Sequence, residues 1–333
     1  MEPVDRIDRM AVETGFSGAI GVDVDGRTWS AAYGFAHRGF EAPNRVDTQF
    51  AIASGGKTFT ALAVVSLIDD GILSLNTTAR SVLGDDLPSI ADDVTVRHLL
   101  SHTSGIGDYI DEEDESLSMT DYLLRSPVHR LTTTEAFVTE LDGFPTKFPA
   151  GARFSYCNGG YIVLALIAER KSGVPYHDLV TDRVLAPGGL EDTAFLRSDR
   201  PSGRMALGYL EREGLWTNVL HLPVLGNGDG GIYTTLDDMR MFWDALYAGR
   251  IVSHDWIAEM TRPQSDAVED DGRYGFGFWL GAESPVVKLV GGDAGVSFTS
   301  AHDPRTGTSW TVVSNTSYGA WPLVSHLTST LGG

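Results

Sequence analysis

The chain has 333 residues, 42% hydrophobic and 21% charged, which gives enough apolar material for the core of one large or two modest domains. Its formal net charge of −20 argues against nucleic acid or an anionic membrane surface as a partner, because phosphates would be repelled. The single cysteine excludes an internal disulfide, and without a leader-like N-terminus or an apolar run of about 18 residues we expect a cytoplasmic protein that does not enter a membrane.

The first predicted elements are a hairpin and a buried helix. Apolar and polar residues alternate over residues 19–24 and 28–33, on either side of Asp25-Gly26, a dipeptide typical of two-residue hairpin turns. Residues 57–68 are apolar on most sides, which predicts a buried rather than an amphipathic helix.

The middle of the chain shows mainly helical patterns and long loops, and strand patterns return near its end. Residues 162–171 predict another apolar helix, and the acidic run 111–115 is interpreted as a solvated loop. Thr235 followed by two aspartates predicts a helix start. A closing helix is predicted over residues 323–331. The strand patterns cover residues 274–280, 286–290, 296–301 and 309–314.

This order of elements predicts an α+β fold with an antiparallel sheet built from both ends of the chain. Sequential strands joined by short turns pair antiparallel, and helices pack on the sheet to bury its apolar face. We expect one unit over residues 1–333, in which residues 1–74 and 225–333 form the sheet region and residues 75–224 a mostly helical region.

Ser54 and Lys57 are the first candidate catalytic residues. They lie three residues apart at the start of the predicted helix, hence on one face of it. A lysine in a desolvated pocket has a lowered pKa and can take the proton of a serine hydroxyl, which is a weak nucleophile without a base. The chain has only four lysines, so a lysine in an apolar helix is not expected to be an ordinary surface residue. The alternative is that Ser54 merely caps the helix.

Tyr156 and Asn158 form the second candidate pair. Alternate residues of an extended segment point the same way, so both side chains are expected to face Ser54. Tyr156 is a credible general base beside a lysine, and Asn158 can donate to a substrate carbonyl and accept from Lys57. Cys157 between them is interpreted as a small buried residue.

The chain resembles the class C serine β-lactamase and penicillin-binding-protein family, which includes esterases, D-aminopeptidases, D,D-carboxypeptidases and acyltransferases. The resemblance rests on Ser54-x-x-Lys57 and Tyr156-x-Asn158 and extends from about residue 15 to the end of the chain. Further similar segments are 50–54, 95–106, 148–156, 230–235 and 274–277. The resemblance implies a β-lactamase/transpeptidase-like fold, attack by Ser54, proton transfer by Lys57 and Tyr156, and substrate orientation by Asn158.

That family usually has a third motif, Lys or His followed by x-Gly, on a strand that faces the nucleophile. This sequence departs from that motif. The corresponding stretch, residues 290–298, contains no basic residue. Gly295 and Val296 are the predicted substrate-binding residues there, with a backbone N–H expected to complete an oxyanion hole. Without a basic side chain, a substrate carboxylate loses its partner, so neutral esters or amides are favoured over β-lactams and C-terminal peptides.

Other motifs are discounted. Residues 226–231 formally fit Gly-x-Gly-x-x-Gly, but no βαβ unit surrounds them, and no zinc-site spacing is present, so no cofactor or metal is expected. His98 and His102 are interpreted as structural hydrogen-bond partners.

The leading hypothesis is a serine hydrolase acting on a small neutral ester or amide through an acyl-enzyme on Ser54. The alternatives are a β-lactamase, D,D-carboxypeptidase or D-aminopeptidase, an acyltransferase, and a non-catalytic binding protein with the same fold.

Overall fold

An antiparallel sheet forms the centre of the fold. The computed structural model describes residues 2–114, 118–120, 123–265, 272–282 and 284–332, without the side chains of residues 2–5. The strands in this part of the chain are β1 (Gly18–Val24), β2 (Arg27–Tyr33), β3 (Phe35–His37), β4 (Ala42–Pro43), β5 (Phe50–Ala51), β6 (Tyr233–Thr234), β7 (Gly272–Tyr274), β8 (Trp279–Gly281), β9 (Val287–Asp293), β10 (Val296–Asp303) and β11 (Thr308–Ser314).

The helices flank this sheet and fill the middle of the chain. In chain order they are α1 (Glu2–Thr14), α2 (Lys57–Asp69), α3 (Arg80–Leu83), α4 (Val96–Leu100), α5 (Val138–Leu141), α6 (Asn158–Ser172), α7 (Tyr176–Val180), α8 (Ala186–Gly188), α9 (Leu236–Tyr247), α10 (His254–Met260) and α11 (Trp321–Leu331). Within the described ranges, no helix combines the length and the apolar character needed to cross a bilayer.

The strand order of the main sheet is β2-β1-β11-β10-β9-β8-β7. Strand β1 pairs antiparallel with β11, so that Gly18 lies opposite Ser314, and the two ends of the chain therefore meet in the sheet. Two-stranded pairs β3-β4 and β5-β6 accompany it. The predicted α+β fold, with a sheet from both chain ends, is confirmed.

The two faces of the sheet bury different residues of the same strands, as the two-residue period of a strand requires. Ile20 and Val312 pack in one apolar cluster with Leu323 of α11 and Ile7 of α1. Ala19 and Val313, their chain neighbours, belong to the larger cluster that contains the buried residues of α2, α6 and α9. Helix α2 is therefore enclosed by protein, as predicted, because every residue from Lys57 to Leu67 is buried.

The predicted opening hairpin and closing strands agree with the structure, with one exception. The pattern over residues 274–280 predicts one strand, but the structure has β7 and β8 with a break between them. Gly277 has φ 80°, and the Phe276 N–H donates to the Met260 carbonyl, so the segment leaves the sheet and returns. Helix α1 was not predicted. The described part of residues 75–224 contains α3 to α8 and contributes no strand to the main sheet.

Candidate active site

Ser54 lies in a short 3-10 turn, Ala53–Gly56, immediately before α2 begins at Lys57. Ala53 has φ 45°, a left-handed conformation that is uncommon for any residue except glycine and is found at functional sites. The turn follows β5, which pairs with β6 and fixes the direction of the chain. Ser54 therefore lines a cleft at the start of a buried helix, where free N–H groups favour developing negative charge.

Lys57 contacts three oxygen atoms through its amine nitrogen. Nζ lies 3.0 Å from the Ser54 hydroxyl, 2.7 Å from the Asn158 amide oxygen and 2.7 Å from the carbonyl oxygen of Asp229. The side chain is 1% exposed. A neutral amine has two N–H bonds and one lone pair, so it can donate to Asn158 and Asp229 while accepting the Ser54 hydroxyl proton. The geometry suits a general base.

Tyr156 lies against both residues. Its hydroxyl hydrogen-bonds to Ser54, and the Lys57 nitrogen lies 4.9 Å from its ring centre. The ring packs between His102, at 4.3 Å between ring centres, and Trp279, at 6.0 Å. Burial, reinforced by the charge of nearby carboxylates, raises the pKa of Tyr156 well above its usual value. The phenol therefore keeps its proton at neutral pH, and its role as a general base stays a prediction.

Asn158 begins α6 and joins Lys57 to an acidic loop. Its amide nitrogen donates to the Ile110 carbonyl at 3.1 Å and to the Glu112 carboxylate at 3.0 Å. The interpretation of the acidic run 111–115 as a solvated loop is thus wrong for Glu112. Its side chain reaches the site and accepts a hydrogen bond from the Asn158 amide. Residue 115 lies outside the described residues.

The four predicted residues Ser54, Lys57, Tyr156 and Asn158 come together in this site. Sequence reasoning missed Asp108, which accepts hydrogen bonds at the start of α6, and Asp229, whose carbonyl holds Lys57. The only signal for Asp108 was its position just beyond the similar segment 95–106.

Strand β9 passes directly beside the turn that carries Ser54. A Cβ atom added at Gly291 would lie 2.0 Å from the carbonyl oxygen of Ile52 and 2.9 Å from the amide nitrogen of Gly55. Only glycine permits this approach. Val290, Gly291, Gly292 and Asp293 of this stretch line the cleft, and none of them is basic.

The structure separates the two residues predicted on the following strand. Val296 lines the cleft, but Gly295 is not among the lining residues. Gly295 lies in the turn between β9 and β10 with φ 74°, and its N–H donates to the Ser317 hydroxyl at 2.9 Å. That N–H is already used, so the prediction of Gly295 as a substrate-binding residue is wrong.

The cleft has a volume of about 400 Å³ and an acidic lining. Among the described residues that line it, none is Lys, Arg or His, whereas the acids are Asp111, Glu112, Asp114, Asp229 and Asp293. Part of this charge is balanced at the rim, where Lys147 pairs with Asp111 at 2.9 Å. The Tyr109 hydroxyl donates to Asp229, and burial raises the pKa of this carboxyl.

The His residues of segment 95–106 have structural partners, as predicted. His98 takes part in the cap of α4 with Thr95, and His102 accepts the N–H of Cys157 at 3.0 Å. Within the described part of the chain, no three His, Cys, Asp or Glu side chains are arranged to hold a metal ion.

Comparison with known proteins finds penicillin-binding proteins and an esterase among the proteins that this chain resembles. A crystal structure of a penicillin binding protein from Bacillus halodurans superposes with a TM-score of 0.90 at 33% identity, covering 97% of this chain and 99% of that one. Penicillin-binding protein 4* of Bacillus subtilis (strain 168) is 29% identical over 287 residues, which are 80% of this chain and 60% of the relative.

Esterase EstB of Burkholderia gladioli is 26% identical over 287 residues, which are 74% of this chain and 70% of the esterase. The chain spans between 52% and 65% of the length of three curated penicillin-binding relatives. The model of the family described as Beta-lactamase matches residues 5–330, almost the whole sequence. From this match, and from the likeness to the Bacillus halodurans structure, the chain belongs to the Beta-lactamase family.

Proposed function

We propose that the protein is a serine hydrolase that forms an acyl-enzyme on Ser54 and acts on small esters or amides. The observation that carries this proposal is the contact of the Lys57 amine with the Ser54 hydroxyl at 3.0 Å inside a cleft. Tyr156 adds a second proton carrier on the same hydroxyl. Both a penicillin-binding protein and an esterase are among the relatives, and each name suits acyl transfer to a serine.

In the first step, the Ser54 oxygen attacks the substrate carbonyl carbon while its proton passes to neutral Lys57. The leaving group departs with the Tyr156 hydroxyl proton, and Lys57 returns its own proton to Tyr156. Water then attacks the acyl-enzyme by the reverse route, which restores the Ser54 hydroxyl and releases the acid. The Ser54 N–H and a backbone N–H of β9 beside Gly291 stabilise the oxyanion.

The lining of the cleft supports uncharged substrates over carboxylates. A substrate carboxylate would meet acids and no lining Lys, Arg or His among the described residues, and like charges at short range are repelled in a partly desolvated site. The residues of the 290–298 stretch that line the cleft include no basic side chain, so the usual partner of such a carboxylate is missing. Esters and amides without a carboxylate are therefore favoured over β-lactams and C-terminal peptides.

The same acidic lining favours a second candidate function, an amidase of the aminopeptidase type whose substrate carries a free amine. Opposite charges attract where water is partly excluded, so a protonated amine suits the cleft better than an anion does. Transfer of the acyl group to an alcohol or amine instead of water would make the protein an acyltransferase through the same intermediate.

The test is intact mass spectrometry after exposure to a phosphonate probe, with turnover of p-nitrophenyl acetate and butyrate measured alongside. We expect one adduct on Ser54 and none in Ser54→Ala, whose turnover should fall to background. Ser202→Ala, at an exposed position, is the matched control and should behave as the wild type. Absence of the adduct, together with background turnover in both the wild type and Ser54→Ala, would favour a non-catalytic binding protein.

Two further substrates separate the alternatives. Efficient hydrolysis of nitrocefin would overturn the preference against β-lactams. Faster turnover of an amino-acid p-nitroanilide with a free amine than of its N-succinyl form would support the aminopeptidase-type candidate over a simple esterase.

A further inference from the structure

The N–H groups at the start of α6 are buried in the core of the protein. The first N–H groups of any helix have no partner within the helix, and buried N–H groups need acceptors. Here Cys157 caps the helix, and Cys157, Asn158, Gly159 and Gly160 are all buried. Their N–H groups cannot turn to water, so neighbouring side chains must accept them.

Two side chains of one loop accept three of these N–H groups in succession. His102 Nδ1 accepts from Cys157 at 3.0 Å, and the two carboxylate oxygens of Asp108 accept from Asn158 at 2.6 Å and from Gly159 at 2.8 Å. His102 is 1% exposed and Asp108 is 5% exposed. The contacts are therefore shielded from water, which makes each acceptor costly to lose.

The segment held in this way fixes two of the four side chains of the proposed site. Tyr156 directly precedes it and rests on the His102 ring, and Asn158 within it accepts from Lys57 at 2.7 Å. We propose that His102 and Asp108 are positioning residues, which hold the backbone of residues 157–159 and thereby place Tyr156 and Asn158 against Ser54 and Lys57. This inference rests on the proposed function.

The protonation states of the two acceptors follow from their bonds. His102 accepts at Nδ1, so its proton is on Nε2, which is buried beside the rings of Tyr161 and Tyr274 and has no hydrogen-bond partner among the described residues. Burial lowers the pKa of His102 well below its usual value. The ring stays neutral and keeps its acceptor.

Asp108 is the acceptor that titrates. Burial raises its pKa to about 6, against the opposing effect of its backbone N–H donors. The other titratable groups that face it are Tyr156 and Cys157. Protonation would turn one acceptor oxygen into a donor that opposes an N–H group. The hold on Asn158 and Gly159 should therefore weaken as the pH falls through about 6.

A pair of substitutions tests His102. His102→Asn places an amide oxygen where Nδ1 stands and keeps the acceptor, whereas His102→Phe keeps a ring but leaves the Cys157 N–H unpaired. We expect His102→Phe to lose about ten- to a hundredfold in kcat with KM little changed, because small misplacements of catalytic groups have effects of this size. His102→Asn should stay within about threefold of the wild type. Equal kcat values in the two variants would overturn the role of His102.

Asp108→Asn tests the second acceptor, with Glu140→Gln as its matched control. Glu140 is also buried and accepts two backbone N–H groups, from Arg125 and Ser126, but it is outside the proposed catalytic group. We expect Asp108→Asn to lose at least about tenfold in kcat and to lack the fall of the wild-type rate near pH 6. Glu140→Gln should keep the wild-type pH profile. An unchanged acid limb in Asp108→Asn would overturn the proposal for Asp108.

Phosphonate titration of Ser54 gives the active fraction of each variant, so kcat is expressed per active site and loss of folding is separated from misplacement. The titration also separates this inference from the proposed function. A wild type that is not labelled contradicts the serine hydrolase itself. A labelled wild type whose variants keep its kcat contradicts only the positioning role.

Discussion

The amine nitrogen of Lys57 lies 2.7 Å from the amide oxygen of Asn158, and all three of its close partners are formally neutral groups. Within the described part of the chain, no carboxylate oxygen comes within ion-pair distance of this nitrogen. An adjacent carboxylate would hold the amine in an ion pair, whereas amide and carbonyl oxygens accept a hydrogen bond from it without adding a charge. Lys57 is therefore placed to act as the base on the Ser54 hydroxyl.

Lys57→Met should remove the base while keeping most of the apolar volume of the side chain. General-base catalysis contributes about 10²- to 10⁴-fold, so kcat for p-nitrophenyl acetate should fall by at least about 10²-fold. Lys171→Met, at an exposed position of α6, is the matched control and should retain wild-type turnover. A comparable kcat in Lys57→Met and Lys171→Met would rule out Lys57 as the base.

Asn158→Asp should turn the neutral acceptor of Lys57 into a charged one. The new carboxylate would form an ion pair with the Lys57 amine, which leaves the amine less able to take the Ser54 proton. We expect kcat to fall. Steady-state rates with p-nitrophenyl acetate measure the loss. A kcat equal to that of the wild type would show that a neutral acceptor at position 158 is not needed.

Tyr156→Phe should keep the ring between His102 and Trp279 and lose only the hydroxyl. We expect a loss of about 10²-fold in kcat with little change in Tm, because the packing is retained. Burial raises the pKa of the phenol, so its protonated form persists as the pH rises through the usual tyrosine range. The wild-type rate should therefore show no alkaline limb from Tyr156 up to about pH 10. A fall of the rate near pH 8 that is absent in Tyr156→Phe would contradict this assignment.

Gly291→Ala should push β9 away from the nucleophile turn. The added Cβ would lie 2.0 Å from the Ile52 carbonyl oxygen, so backbone has to move. Overpacking of this kind destabilises by about 1–3 kcal/mol, and we also expect slower phosphonylation of Ser54 because the oxyanion donors separate. Urea unfolding and the labelling rate measure the two effects. Gly203→Ala is the control, since a Cβ there meets no atom within 4 Å.

Much of the fold was readable from the sequence because its signals are local. The alternation over residues 19–24 and the Asp25-Gly26 turn predict the β1-β2 hairpin, and both turn residues have the positive φ values that such a turn requires. The single strand predicted over residues 274–280 is wrong because the break in it depends on a hydrogen bond from the Phe276 N–H to the carbonyl of Met260, 16 residues earlier. A strand pattern does not reveal a partner that distant.

The site also combines local features, which the sequence predicts, with contacts between distant residues, which it does not. Ser54 and Lys57 lie one helical turn apart, and Tyr156 and Asn158 are alternate residues of one segment, so short spacings predict each pair. The hydrogen bond that joins the two pairs links Lys57 to Asn158, which lies 101 residues later in the chain. The sequence predicts Glu112 as part of a charged loop because the composition of a segment does not reveal that its carboxylate accepts a hydrogen bond from the distant Asn158 amide.

The sequence by itself determined the residue types that carry the proposed chemistry and the absence of a basic residue from the third motif. Only the tertiary structure decided which backbone groups remain available to a substrate. Gly295 and Gly291 illustrate the difference, since both are glycines in the same short stretch of the sequence. The N–H of Gly295 is taken by Ser317, whereas Gly291 brings β9 against the Ser54 turn. Hydrogen-bond partners and close approaches of this kind arise between strands and turns distant in the chain, so only folding fixes them.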